Sequence, residues 1–216
     1  NSGQTQNLEA QTSDAESDDK LMRFAQDKAI NVSRGPVDDI AQRLYKAQQE
    51  YKADIVVRCW GDCPCVDPAV IDLAVNKLID ENLDFVSNSV TVGRSYPYGL
   101  DIEVYRAHIL EAIVLTVKDP FYREFPSEYV KDSGLFHCGE LRCAENYADI
   151  YVTVDYAKDL ALIREIYQAL YVEGAVFGYQ EIVAWFKQHD GLKQGVSELP
   201  RNVEYYVKKQ TRLTES

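Results

Sequence analysis

Two aspartates stand where a parallel sheet would deliver them to a ligand. Asp62 follows the apolar run Asp54-Ile55-Val56-Val57-Arg58-Cys59-Trp60, and Asp155 follows Ile150-Tyr151-Val152-Thr153-Val154. In an open parallel sheet the carboxyl ends of the strands line the ligand crevice. Two carboxylates there are the donor set for a magnesium ion bridging substrate phosphates, because that ion takes one or two protein carboxylates and fills its other positions with water and phosphate oxygens. The same residues suit purely structural work, Asp155 as a cap for the helix that follows it and Asp62 as a turn residue. Spacing alone leaves both readings open.

Cysteine chemistry is a weaker candidate. The five cysteines, at positions 59, 63, 65, 138 and 143, are odd in number and form no C-x-x-C pair, which argues against a disulfide scaffold. Cys63, Cys65, His137 and Cys138 offer zinc-binding side chains, but structural zinc ligands usually come as matched pairs two to four residues apart. Reduced, buried thiols are the expected state.

The elements that must position the aspartates read as an α/β pattern. The run 54–60 is short, β-branched and nearly continuous in apolar character, the mark of a strand buried on both faces. Asp67-Pro68 supplies an N-cap and a proline at the first helical position, and apolar residues keep helical spacing from Val70 to Ile79. Asp84–Asn88 is the next strand, which completes a βαβ unit. Upstream, a short strand at 29–32, a turn at Arg34-Gly35-Pro36 and a helix opening at Asp38 are expected. Downstream, a loop over 89–99 leads to a strand at 101–105 and a helix over about 107–117. Strands at 135–143 and 150–154, an amphipathic helix over 156–171 and a last helix over 179–188 follow. Residues 1–20 carry almost no large apolar side chain beyond Leu8, so 1–10 is expected to be a mobile segment. One α/β domain is expected over 11–205, with a tail at 206–216.

Composition narrows the function. The chain has 216 residues, 35 acidic against 23 basic, for a formal net charge of −12. Such a charge repels phosphate backbones, so nucleic acid is not an expected partner. No apolar run approaches the roughly 20 residues of a membrane span and no signal segment opens the chain. A cytoplasmic protein with no membrane partner is expected. A phosphorylated small molecule stays compatible with the charge, since a bound cation and a few local groups reverse the sign of a site.

The string Gly61-Asp62-Cys63-Pro64-Cys65-Val66-Asp67-Pro68-Ala69-Val70-Ile71-Asp72 resembles the GDCPLxDPxxID segment of the cytidylyltransferase family that includes the spore-coat polysaccharide biosynthesis protein F group, with CMP-Kdo and CMP-sialic acid synthetases as wider relatives. The likeness extends through Thr12-Ser13, Asp18-Asp19, Arg34-Gly35, Asp38-Asp39-Ile40 and Arg43. It continues through Tyr96-Pro97-Tyr98-Gly99-Leu100-Asp101-Ile102-Glu103-Val104, Asp119–Glu124 and Thr153–Leu160, so collinear matches run from about Thr12 to Asn202. The resemblance implies a Rossmann-like nucleotidyltransferase fold, with a mixed, mostly parallel sheet and helices on both faces.

It also implies transfer of CMP from CTP to a sugar or sugar acid for polysaccharide or glycoconjugate synthesis, with Mg2+ as cofactor. On that reading Asp62 and Asp155 are the catalytic, metal-binding pair. Arg34, Gly35, Asp39, Arg43 and Gly61 fall on the nucleotide side, and Tyr98, Gly99, Asp101 and Glu103 on the acceptor side. Asp101 and Glu103 are expected on opposite sides of their strand, only one of them toward the crevice. A homodimer is compatible with the aromatic-rich region 96–129. Relatives open with a glycine-rich loop that cradles the triphosphate; this chain carries no such segment, and Phe125 and Tyr151 stand where the family has histidine and arginine. The fold is therefore expected to be N-terminally truncated and the chain inactive by itself. The alternative is a non-catalytic relative that binds a nucleotide sugar or a protein partner.

Overall fold

The computed structural model describes residues 7–89, 93–189, 191–192 and 202–215. The chain gathers into two compact units, 1–56 with 105–136 and 57–104 with 137–216, the crossings falling inside strands β3 and β5 defined below.

In the first unit, β1 (Glu9–Ser13) pairs in parallel with β2 (Asn31–Gly35). The strand β1 starts inside the segment expected to be mobile. Its inner end is nearly inaccessible, with Thr12 and Ser13 at 3% and 6% exposure. Polar pairing rather than apolar burial holds it: the Asp18 carboxylate accepts from the hydroxyls of Thr12 and Ser13, both at 2.6 Å, and from the Ser13 amide at 2.9 Å. Three donors on one carboxylate stabilise its charged form and hold the Asp18 carboxyl well below the usual carboxylate range. The helix α1 (Asp19–Asp27) leaves Leu21 and Phe24 exposed and buries only Ala25. The turn expected at Arg34-Gly35 lies in β2 itself, and α2 (Ile40–Tyr51) starts two residues after Asp38, capped by Asp39, whose side chain accepts from the Gln42 amide at 2.9 Å. The unit closes with α4 (Ala107–Thr116), α5 (Pro120–Glu124) and α6 (Pro126–Asp132). Ile109, Leu110 and Ile113 of α4 are fully buried, and α4 packs on α2.

The second unit holds a four-stranded sheet in the order β3-β5-β4-β6, made of β3 (Ile55–Cys59), β4 (Phe85–Ser87), β5 (Ile102–Arg106) and β6 (Cys138–Glu140). β4 and β6 run parallel. The strand β3 is an edge strand, with Val57 at 36% exposure and Cys59 exposed, so the expectation that both its faces are buried fails. Continuous apolar character reads the same in an edge strand as in a central one. Between β3 and β4 lies α3 (Pro68–Asp80), whose cap is Asp67 as the Asp-Pro pair foretold, the side chain accepting from the Ala69 amide at 2.8 Å. The other Asp67 oxygen accepts from the Tyr179 amide at 2.9 Å and ties the start of α8 (Tyr179–Gln188) to the start of α3. With α7 (Ala157–Leu170), α8 encloses a core of Leu100, Ile150, Val152, Ile166, Ile182 and Phe186. Each such side chain contributes on the order of 1.5–3 kcal/mol by leaving water.

The strands expected at 135–143 and 150–154 are mostly irregular. Only Cys138–Glu140 of the first is a strand, and the second makes a single isolated bridge, Tyr98 with Tyr151. The expected loop over 89–99 falls partly on 90–92, outside the described residues. The segment expected as a tail carries α9 (Val203–Glu215). Among the described residues no helix is long and apolar enough to cross a membrane.

Candidate active site

Asp62 sits in the turn after β3, and Asp155 at the end of the irregular segment 150–156. The Val154 N–H donates to the Asp62 carbonyl at 2.8 Å, so the two main chains meet at Asp62 itself and one residue before Asp155. Both side chains are exposed. Asp62 Oδ1 accepts from the Cys63 thiol at 3.4 Å, and Asp155 Oδ2 accepts from the Thr153 hydroxyl at 3.1 Å. Burial, and then the charges of Asp62 and Asp101, push the Cys63 thiol far up, so it stays protonated and serves as a donor. Two exposed carboxylate oxygens suit a hard cation that keeps several water or phosphate ligands, and they lack the nitrogen or sulfur donors of a zinc site. Cys63 and Cys65 are buried, whereas Cys59 and Cys138 are exposed, so the expectation of buried thiols holds for only part of the set.

Segment 150–156 owes its path to neighbours rather than to a strand ladder. Tyr98 donates its amide to the Ile150 carbonyl at 2.9 Å, and its own carbonyl accepts from the Val152 amide at 2.8 Å. Gly99 follows with φ +95°, and a Cβ there would stand 2.5 Å from the Val152 carbonyl carbon. Only glycine lets the two backbones approach this closely. Gly99 thus shapes the segment through its missing side chain. The Tyr98 ring, partly exposed, stacks on Tyr151 with centroids 4.5 Å apart, and the Arg94 guanidinium lies 3.9 Å from the Tyr98 centroid.

The two acceptor-side carboxylates are differently placed from the expectation. Residues two apart share a strand face, and β5 begins only at Ile102, so Asp101 and Glu103 do not alternate across a strand. Both are buried, and each is held by its own arginine. Asp101 pairs with Arg94 at 2.6 Å and accepts from the Gly99 amide at 3.0 Å; Glu103 pairs with Arg58 at 3.0 Å. The Arg58 guanidinium lies 4.4 Å from the Trp60 ring centroid. Arg94 also donates to the Tyr96 and Pro97 carbonyls, both at 3.0 Å, and so fixes the loop that carries Tyr98.

In the first unit the nucleotide-side candidates are built into the fold. Arg34 donates to the Ser13 carbonyl at 2.8 Å, the Ala15 carbonyl at 2.6 Å and the Asp19 carboxylate at 2.7 Å. Asp39 caps α2 and accepts from Arg123 at 2.9 and 3.0 Å. Arg43 lies beside Gly35, where an added Cβ would stand 2.8 Å from its Cγ, and its backbone carbonyl accepts from the Gln11 side chain at 2.9 Å. Gly61 has open space where a Cβ would go. Phe125 packs against Phe121 with centroids 5.1 Å apart. Motif reading singled out neither Arg58 nor Arg94, and gave no role to Asp159, which lies within the matched string Thr153–Leu160. The signal available for Asp159 was its place three residues after the helix N-cap. A groove of about 260 Å³ lies along α8, lined by Tyr147, Tyr179, Val183 and Lys187 among others, and none of the candidate residues lines it.

The sheet and its flanking helices define an α/β protein of the Rossmann-like nucleotidyltransferase fold. The chain belongs to the cytidylyltransferase family, whose model, described as Cytidylyltransferase, matches residues 1–182. It is 30% identical over 152 residues to uncharacterized protein MJ1063 of Methanocaldococcus jannaschii, covering 69% of this chain and 60% of that protein. It is 29% identical over 167 residues to the spore coat polysaccharide biosynthesis protein SpsF of Bacillus subtilis, covering 75% of this chain and 67% of that one. Among solved structures, a cytidylyltransferase from Leptospira borgpetersenii serovar Hardjo-bovis superposes with a TM-score of 0.79 at 25% identity, over 89% of this chain and 80% of that chain. CMP:2-keto-3-deoxy-manno-octonic acid synthetase, solved in complex with CTP, superposes with a TM-score of 0.51 at 16% identity, over 76% and 81% of the two chains, a likeness of fold alone.

Proposed function

We propose that this protein transfers CMP from CTP to a hydroxyl of a sugar or sugar acid, with release of pyrophosphate, in the synthesis of an activated sugar for a surface polysaccharide or glycoconjugate. The observation that carries the reading is the Val154-to-Asp62 hydrogen bond, which brings together the main chains of Asp62 and Asp155 in a member of the cytidylyltransferase family. Asp62 and Asp155 would hold a magnesium ion, and when bound that ion would neutralise phosphate charge and align the triphosphate. The chain's own contribution is position. Tyr98 offers a partly exposed aromatic face to the acceptor, while Asp101 and Glu103 act from behind by fixing Arg94 and Arg58. Gly61 leaves open space beside Asp62.

The test is pyrophosphate release by the full-length protein with CTP, magnesium and a panel of sugars and 2-keto sugar acids. Asp62→Asn and Asp155→Asn each remove a charged oxygen donor and keep the side-chain shape. Each is expected to lower turnover by at least about 100-fold, since even groups that only support metal ligands are worth roughly 10–100-fold. Wild-type turnover in either folded variant refutes the assignment.

A further inference from the structure

Asp159 is among the least exposed charged residues described, at 1% exposure, and motif reading gave it no role. It lies in the first turn of α7, where a carboxylate three residues past the N-cap commonly reaches back to the N-cap amide. Here the reach is longer. Asp159 Oδ2 accepts from the Tyr156 amide at 2.9 Å and also from the Asp155 amide at 3.0 Å. Those two N–H groups belong to the peptides on either side of the Asp155 Cα, so one buried oxygen constrains the backbone on both sides of the residue that carries the candidate ligand. No ladder does this work, because segment 150–156 makes only the single bridge to Tyr98. From these contacts we infer that Asp159 is a positioning residue: it holds Asp155 in the orientation in which its carboxylate, together with that of Asp62, binds a divalent cation. The inference rests on the reading of Asp155 as a metal ligand.

Helix capping alone would stabilise α7 and leave cation binding untouched, so the two roles separate by measurement. Asp159→Ala is compared with wild type and with Asp155→Asn in the full-length protein. One readout is hydrogen exchange at the Asp155 and Tyr156 amides. The other is Mn2+ affinity in the presence of CTP, read by electron paramagnetic resonance. Asp159→Ala is expected to speed exchange at both amides by tenfold or more, and to weaken Mn2+ binding by about 10–100-fold, the range for groups that orient a metal ligand. Asp159→Glu keeps the charge and shifts the carboxylate by one methylene. It is expected to weaken Mn2+ binding as well, and it carries the test alone if Asp159→Ala does not fold.

Wild-type Mn2+ affinity in a folded Asp159 variant, with Asp155→Asn impaired, overturns the inference and leaves the reading of Asp155 standing. Wild-type affinity in Asp155→Asn overturns both.

Discussion

Replacing Gly99 by alanine probes the close backbone approach that shapes the segment ending at Asp155. The added Cβ would stand 2.5 Å from the Val152 carbonyl carbon, 2.6 Å from the Thr153 nitrogen and 2.7 Å from the Val152 oxygen. All three are backbone atoms, so no side-chain rotation relieves the clash. A residue with a Cβ also resists φ +95°, at a cost of roughly 1–2 kcal/mol. Forcing extra volume into a packed site costs about 1–3 kcal/mol more. The sum is a destabilisation of about 2–5 kcal/mol, or a fall in melting temperature of about 4–20 °C for a chain of this size. Urea unfolding followed by tryptophan fluorescence reads the unit concerned, because the chain's two tryptophans, Trp60 and Trp185, both lie in it. Gly174 in the same unit is the control: it has φ +79° and nothing within 4 Å of an added Cβ. Gly174→Ala should therefore show the conformational cost alone, about 1–2 kcal/mol. Equal losses at the two positions would refute the claim that backbone contact at Val152 and Thr153 makes Gly99 necessary.

Two further outcomes follow from the ion pair and the perturbed carboxyl described above. Asp101→Ala removes the partner of an arginine whose side chain is 6% exposed, and stranding such a buried charge is expected to cost about 3–5 kcal/mol in urea unfolding; Asp101→Asn, whose single side-chain oxygen can accept from only one of Arg94 and the Gly99 amide, keeps one of the two contacts and should cost less than Asp101→Ala. Asp18 has a folded pKa depressed from its ordinary 3.8 by the Ser13 hydroxyl, then the Thr12 hydroxyl and the Ser13 amide. The unfolded chain therefore binds the Asp18 proton first, so the stability from this group is full at neutral pH and drains away as pH falls below about 4. Asp18→Asn should be less stable than wild type at pH 7 and show a shallower acid decline; identical acid slopes would contradict the assignment.

Local chemistry was the legible part of the fold. Asp67-Pro68 announced α3 because cap and proline act within one turn, and the spacing of apolar residues set α7 and α8 to within a residue or two at either end. Partner-dependent features were not legible. The run 54–60 has the apolar character of a buried strand, but whether neighbours cover it is decided by residues far away in sequence, and β3 is an edge. Segment 150–154 has strand-like residues, yet its backbone hydrogen bonds run to Tyr147, Tyr98 and Asp62 rather than along a ladder. At the site, the turn that carries Asp62 after β3 was legible in the run 54–60, whereas Asp155 follows an irregular segment where a strand was expected. The partners of Asp101 and Glu103 were not legible, because Arg94 and Arg58 lie 7 and 45 residues away and no local pattern marks them. Arg34 and Asp39 show the converse: residues picked out by a motif that are occupied in holding β1, α1 and α2.

The most direct measurement is product analysis. The full-length protein is incubated with CTP, magnesium and the acceptor panel, and the mixture is resolved by mass spectrometry and phosphorus NMR. The account predicts one CMP-linked sugar, formed together with one equivalent of pyrophosphate and lost in Asp62→Asn and Asp155→Asn. A nucleotide sugar built from a different nucleoside triphosphate, or a CMP product that persists in both variants, would contradict it.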